Sequence, residues 1–268
     1  DGDGKSIMRD LDRHAPLIVQ QELYFDEGMP EMPCVYILSS GGPNVDGDRY
    51  EQHFVVREGA YAHISTGAAT KLAEMRYNYS GLKQVFELEE NAYLEYLPEP
   101  TIPCRHTRFI ADTAIRVAPS ATLFYSEVYM SGRKHFDKGE TFQYDILSVC
   151  SHAERPDGEQ LFREKFIIRP EAYPPGSLGA MNGYVVFANV IVLPPPGHDD
   201  HIYERTPAFI DRERRLAAGI TRLPNNAGLL YKVLGEETGP VKKLIREFCS
   251  SVRLEIKGKP LPEEFPWR

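Results

Sequence analysis

Apolar positions along this chain come in short runs, and none before residue 200 sustains the 3.6-residue period of a helix. Alternating or compact runs rich in Tyr, Phe, Val and Ile occupy residues 17–25, 34–38, 54–56, 61–64, 85–88, 93–97, 115–117, 123–130, 144–149 and 162–168. Gly, Pro and Asn separate them, so each run predicts a strand bounded by turns. The longest apolar stretch, residues 183–193, is too short to cross a bilayer as a helix and carries Asn189 inside it.

Three of the runs repeat. Residues 52–61 align with residues 84–93, placing Gln52 on Gln84, Phe54 on Phe86 and Tyr61 on Tyr93, and residues 115–122 form a shorter third copy. In each copy a strand meets a tight turn, at Gly59, Asn91 or Ser120, and a second strand leaves it. Gly and Asn tolerate the positive φ that such turns often need. Units of this length cannot bury their apolar faces alone and must stack. The expected fold class is therefore mainly β: stacked, β-helix-like, antiparallel or mixed strands with a few α-helices in the C-terminal third. An ordinary β-sandwich with chance similarity between hairpins is the alternative. Residues 1–178 read as the β-helical stack, and residues 179–268 as an α/β part packed on the same domain.

The last third changes character. Thr206-Pro207 predicts the start of a helix reaching to about residue 218, with Phe209, Leu216 and Ala217 inward. Residues 229–234 predict a strand after the turn at residues 225–228. Gly239-Pro240 then opens the clearest helix, with Val241, Leu244, Ile245, Phe248 and Val252 as the buried stripe and Lys242, Lys243, Arg246 and Glu247 toward solvent. That stripe is expected to pack on the sheet, with partner binding as the alternative. The tail at residues 258–262 is left open between docking and mobility.

Composition narrows the function more than the fold. The 31 Lys and Arg against 39 Asp and Glu give a net charge of −8, which argues against a general binder of nucleic acid or anionic membrane. The first residues lack the apolar core of a signal peptide, and the four cysteines lack CxxC or zinc-ligand spacing. A reduced, cytoplasmic protein is the expectation, two disulfides being the alternative. The absence of an initiator Met suggests a missing leading segment.

Chemistry is sparse. Gly4-Lys5-Ser6 resembles the end of a phosphate loop without its preceding strand and is read as a hairpin turn. The Gly-rich turn at residues 41–48 lacks the helix start of a dinucleotide site, and is read as a shaped turn placing Asp48 near a surface or cavity. His198-Asp199-Asp200-His201 is the densest set of metal-ligand types, read as an exposed polar loop with His198 and His201 as weak surface metal candidates. Glu127 and Glu164 fall inside apolar strands, where a carboxylate must be paired, solvated or functional. Lys71 is a candidate partner. The two readings are a buried ion-pair network and a polar passage for water or a cation. No nucleophile elbow or HExxH motif is present, so catalysis is not the favoured class.

The order of Gly41-Gly42 with Gly47-Asp48, then residues 65–71, then residues 94–102 resembles the UreD family of urease accessory proteins, called UreH in some bacteria. Residues 127–133, 139–142 and the tail at 258–262 continue the likeness along nearly the whole chain. The family's GGxxGGD turn is interrupted here by Asp46 and lengthened by one residue, and the chain starts where the family already has a first strand behind it. The resemblance implies a non-enzymatic, β-helical scaffold for nickel insertion into apo-urease. Such proteins bind UreF, which recruits the GTPase UreG, commonly with two copies of each. A polar passage through the subunit is the implied nickel route, and Asp48, Thr70, Lys71, Glu127 and Glu164 match positions that could line it. No tightly bound cofactor is implied, only transient Ni(II). The competing classes are a metal-dependent β-fold enzyme using His198 and His201, and a carbohydrate-binding β-solenoid using exposed tyrosines.

Overall fold

A computed structural model describes residues 4–263. From β1 (Leu17–Val19) and β2 (Cys34–Ser39) the chain crosses to β3 (Arg49–Val56) in a facing sheet, then returns to β4 (Tyr61–Thr66) beside β2. It repeats the circuit through β5 (Thr70–Leu72), β6 (Ser80–Leu88) and β7 (Tyr93–Leu97). A further circuit follows through β8 (Thr101–Pro103), β9 (Arg108–Val117) and β10 (Thr122–Met130). β11 (Ile146–Glu154) adds a last parallel strand before β12 (Gln160–Ile168) turns back antiparallel. Parallel rows β2-β4-β7-β10 and β3-β6-β9-β11 result, one in each sheet.

The sequence repeat is the register of this stack. Gln52 pairs with Gln84, Phe54 with Phe86 and Tyr61 with Tyr93, and on the next circuit Phe86 pairs with Ile115 and Tyr93 with Thr122. The turns stack as well: Gly59 and Asn91 both take positive φ, and the Gly59 N–H donates to the Glu90 carbonyl. Each circuit satisfies backbone groups left open by the one before, so the architecture is mainly β and solenoid-like.

The chain then extends the first sheet with β13 (Val186–Leu193), runs through α1 (Asp199–Glu204), and adds β14 (Phe209–Asp211), β15 (Leu216–Arg222) and β16 (Leu229–Gly235) before α2 (Thr238–Lys257). The finished sheet has eleven strands, with β5 and β8 alongside its main path, and faces a sheet of five. α2 covers the outer side of the larger sheet, where Phe248 meets Phe124 and Tyr231 at ring distances of 5.7 and 4.6 Å. A Gly258 C-cap with φ of 68° ends it, and the tail docks: Leu261 is buried and its N–H donates to Ser250 Oγ.

Several expectations change. Residues 206–218 are not a helix: β14 and β15 form a hairpin, and β15 pairs with β16 from Leu216↔Gly235 to Arg222↔Leu229. Alternation at Leu216, Ala218 and Ile220, with sheet pairing across the whole strand, outweighs the Thr-Pro start signal. Thr206 instead closes α1, its hydroxyl donating to the Ile202 carbonyl. Lys242 does not face solvent; it is largely covered and binds Glu99 at 2.6 and 2.8 Å. Arg246 is half-buried against the carbonyls of Pro262 and Glu263. Strands β3 and β9 begin well before their apolar runs because charged residues occupy their outer positions. β13, all eight residues buried, is the stretch weighed above only as a membrane span. Near the start, Gly4 has φ of 72° and Ser6 Oγ accepts the Tyr61 N–H, but the first described strand begins only at Leu17, so residues 4–6 do not join two described strands as a hairpin turn. All four cysteines are free thiols.

Candidate functional site

Registered strands create registered layers between the sheets. On the inner face of the five-stranded sheet, Phe54, Phe86, Ile115, Ala153 and Phe162 form one row, and Tyr50, Leu82, Ala111, Val149 and Phe166 form another. Between them runs a polar row of Gln52, Gln84, Thr113, Ser151 and Glu164. The facing sheet answers with Glu127, Asn189 and Lys232, also in register. A polar stripe therefore crosses an otherwise apolar interior.

Its side chains are joined. Gln84 Nε2 donates to Gln52 Oε1 at 2.7 Å and to the Tyr96 hydroxyl at 2.8 Å. The Thr113 hydroxyl lies 3.2 Å from both Gln84 Oε1 and the Tyr125 hydroxyl. Tyr125 donates to Glu127 Oε1 at 2.7 Å, and Tyr129 reaches the same oxygen at 3.4 Å. Glu127 Oε2 accepts no hydrogen bond among the described residues. Burial raises the Glu127 carboxyl to about 7, with the Tyr125 hydrogen bond opposing that shift and the Glu164 charge adding to it. A carboxylate that changes charge near neutrality can exchange a proton for a cation.

Glu127 faces a cavity of about 360 Å³. Its lining includes the buried Gln84, Tyr96 and Tyr125 with Gln52, and also Gly42, Asn44, Thr70, Lys71 and Glu99. The Gly-rich turn reaches this place because Asn44 bridges to Leu72 of β5, exchanging backbone hydrogen bonds with Lys71 and Ala73. Asp46, the residue that interrupts the family pattern, accepts the N–H groups of Arg76, Tyr77 and Asn78 and so ties this turn to the next circuit.

Of the residues singled out for a passage, Thr70, Lys71 and Glu127 share the cavity wall. Asp48 stands behind it, accepting the hydroxyl of the lining residue Tyr50 at 3.0 Å and the Val45 N–H at 2.8 Å. Burial and that hydrogen bond push the Tyr50 hydroxyl up to about 12. Glu164 is outside the cavity lining, at the far end of the polar row, paired with Lys232. Lys71 is exposed and forms no ion pair with Glu127, so the anticipated pairing is absent. His198 and His201 are elsewhere. They sit at the start of α1 rather than in a loop, with both Nδ1 atoms on Glu255 Oε1 of α2, at 3.2 and 3.0 Å, and Arg205 on the other oxygen. Hydrogen bonds from His201 and His198 hold the Glu255 carboxyl below its ordinary value.

A second charged cluster escaped the sequence reading. On the α2 side of the large sheet, Arg253 is fully buried and binds both oxygens of Glu95 at 2.7 Å, and its third nitrogen reaches Asp26. Glu95 also receives the Tyr93 hydroxyl at 2.7 Å and meets His63 Nδ1 at 2.8 Å. Asp26 in turn accepts the N–H groups of Gly28 and Met29. Burial acts to raise the Glu95 carboxyl, but the Arg253 charge and the His63 hydrogen bond hold it well below its ordinary value. Strand alternation sets Glu95 opposite to Leu94 and Tyr96 of the inter-sheet core, a signal the sequence carries; nothing local announces Arg253, which lies 158 residues on.

The family model for the UreD urease accessory protein matches residues 1–268. Urease accessory protein UreD 2 of Brucella suis biovar 1 is 45% identical over 263 residues, covering 98% of this chain and 87% of the relative. Urease accessory protein UreD of Yersinia enterocolitica is 44% identical over 270 residues, covering 98% and 83%. The chain belongs to the UreD family of urease accessory proteins, with a role in urease maturation. Among the described residues no helix is long and apolar enough to cross a membrane.

Proposed function

We propose that this protein is a non-catalytic scaffold for nickel insertion into apo-urease, binding UreF and through it the GTPase UreG, and passing Ni(II) through its polar interior. The observation that carries this reading is the buried Glu127 at the junction of the cavity and the polar row. Oxygen donors from Glu127, Tyr125, Gln84 and Gln52 match a divalent cation weakly enough for it to move on, since nickel prefers nitrogen and sulfur ligands for tight binding. Thr70 and Lys71 stand at the entrance, Asp48 holds Tyr50 in the wall, and Glu164 with Lys232 marks the far end. A pull-down of this protein from cells expressing the urease genes is expected to bring down UreF, with UreG lost when UreF is deleted. Deleting the protein is expected to leave urease nickel-poor at limiting nickel. Fully nickel-loaded urease in the deletion strain would refute the reading.

A further inference from the structure

The outer face of the five-stranded sheet holds a different set of donors. Asp112 on β9 and Cys150 on β11 are directly in register, and His152 follows Cys150 by two residues on the same face. One ligand atom from each lies within 4.8 Å of the others, and no other group of three such residues does so among the described residues. We propose that Asp112, Cys150 and His152 bind one late first-row divalent cation, Zn(II) or Ni(II), at this outer site.

The polar atoms are poorly accounted for without a ligand. His152 Nδ1 is buried with no hydrogen-bond partner, and it lies 3.9 Å from Asp112 Oδ1, too far for a hydrogen bond. Asp112 would be expected to pair with Lys83, its register neighbour on β6, but Lys83 is bound to Glu51 on the other side at 2.7 Å. The Asp112 carboxylate receives no hydrogen bond among the described residues. Lys165 and Arg163, opposite Cys150 and His152 on β12, form no ion pair with it either.

The donor set selects the ligand. Thiolate with imidazole suits zinc and its borderline-soft neighbours, whereas calcium and magnesium require oxygens. Metal bonds of about 2.0–2.3 Å in a tetrahedron separate ligand atoms by about 3.3–3.7 Å. Closing from separations of at most 4.8 Å requires side-chain movement of no more than about an ångström on a rigid pair of strands. Binding releases the Cys150 proton to solvent, so the thiolate and carboxylate together balance the two positive charges of the ion. The fourth position opens outward, on the exposed side of Asp112. This site is separate from the interior cavity and does not depend on the nickel-passage reading.

Titrating the untagged full chain with Co(II) or Ni(II) is expected to give one equivalent of binding and a thiolate-to-metal charge-transfer band, with Zn(II) competing for the same site. Cys150→Ser should abolish the band, and Cys104→Ser should leave it unchanged. Asp112→Asn changes an exposed side chain and should leave the fold intact while weakening binding by about 10–100-fold, as should His152→Ala. A band that survives in Cys150→Ser would overturn the proposal. So would parental affinity in Asp112→Asn and His152→Ala, or no stoichiometric binding by the folded parent.

Discussion

Replacing Arg253 with methionine is expected to lower folding stability by about 3–5 kcal/mol, the scale found when one partner of a buried ion pair is removed. Arg253, Glu95 and Asp26 are all sealed from solvent, and the guanidinium bridges the two carboxylates. Methionine fills much of the same volume but leaves two negative charges facing each other in a dry interior. Urea unfolding at neutral pH measures the loss. Adding Glu95→Gln and Asp26→Asn to Arg253→Met removes the stranded charges and should recover most of it. A single variant within about 1 kcal/mol of the parent would mean the cluster contributes little to holding α2 on the sheet. The pH sign follows from Glu95. Its carboxyl is held below the ordinary value of 4.5 in the folded state, so its contribution is present above that pH and lost as acid titrates the folded form.

Glu127→Gln should act in the opposite direction on stability and strongly on function. With the folded carboxyl at about 7 and the ordinary value at 4.5, the folded protein keeps a proton that the unfolded chain releases. The Glu127 contribution to stability is therefore greatest below pH 4.5, falls as pH rises toward 7, and levels off above. A shift of that size corresponds to about 3 kcal/mol. Glutamine retains an oxygen for the Tyr125 hydroxyl and never ionises, so the variant should be the more stable protein at pH 8, and its stability profile should lose the slope between pH 4.5 and 7. Denaturant unfolding across that range tests this. If Glu127 serves a passing cation, nickel loading of urease at limiting nickel should drop by about 10–100-fold while UreF still binds. A variant that is more stable and delivers nickel normally would leave the cavity without a role in transport.

The contrast between these two carboxylates explains what the sequence could disclose. The stack was legible because its pairing repeats: Gln52, Gln84 and Thr113 lie one circuit apart, and their spacing of 32 and then 29 residues is visible in the string of letters. Glu127 was legible because a carboxylate amid Phe124, Tyr125, Val128 and Tyr129 violates its surroundings. Glu164 was picked out for the same reason, yet it pairs with Lys232 at an edge, since strand alternation does not reveal where a sheet stops. The hairpin at residues 209–222 was missed because its pairing with β16, rather than its own residues, decides its conformation. Arg253 was not singled out on α2. Its partners Glu95 and Asp26 lie 158 and 227 residues earlier, and no local pattern carries that information. Asp112, Cys150 and His152 have no ligand spacing as a string; only the parallel register makes them neighbours.

The buried cluster also bears on the order in which the protein can be completed during synthesis. Asp26 and Glu95 leave the ribosome early, with the first circuits, whereas Arg253 belongs to the helix that follows every strand. A nascent chain containing β2 through β10 has the two carboxylates but not the guanidinium, and burying like charges without it is unfavourable. The outer side of β7 must then stay hydrated until α2 emerges, however well the inter-sheet core has formed. Arrested chains ending before residue 238 should therefore be cleaved by protease near Glu95, and chains extending past Lys257 should resist. Equal resistance in both would show that the first circuits close without their counter-ion. The last helix acts as a seal on a molecule whose coils are already wound.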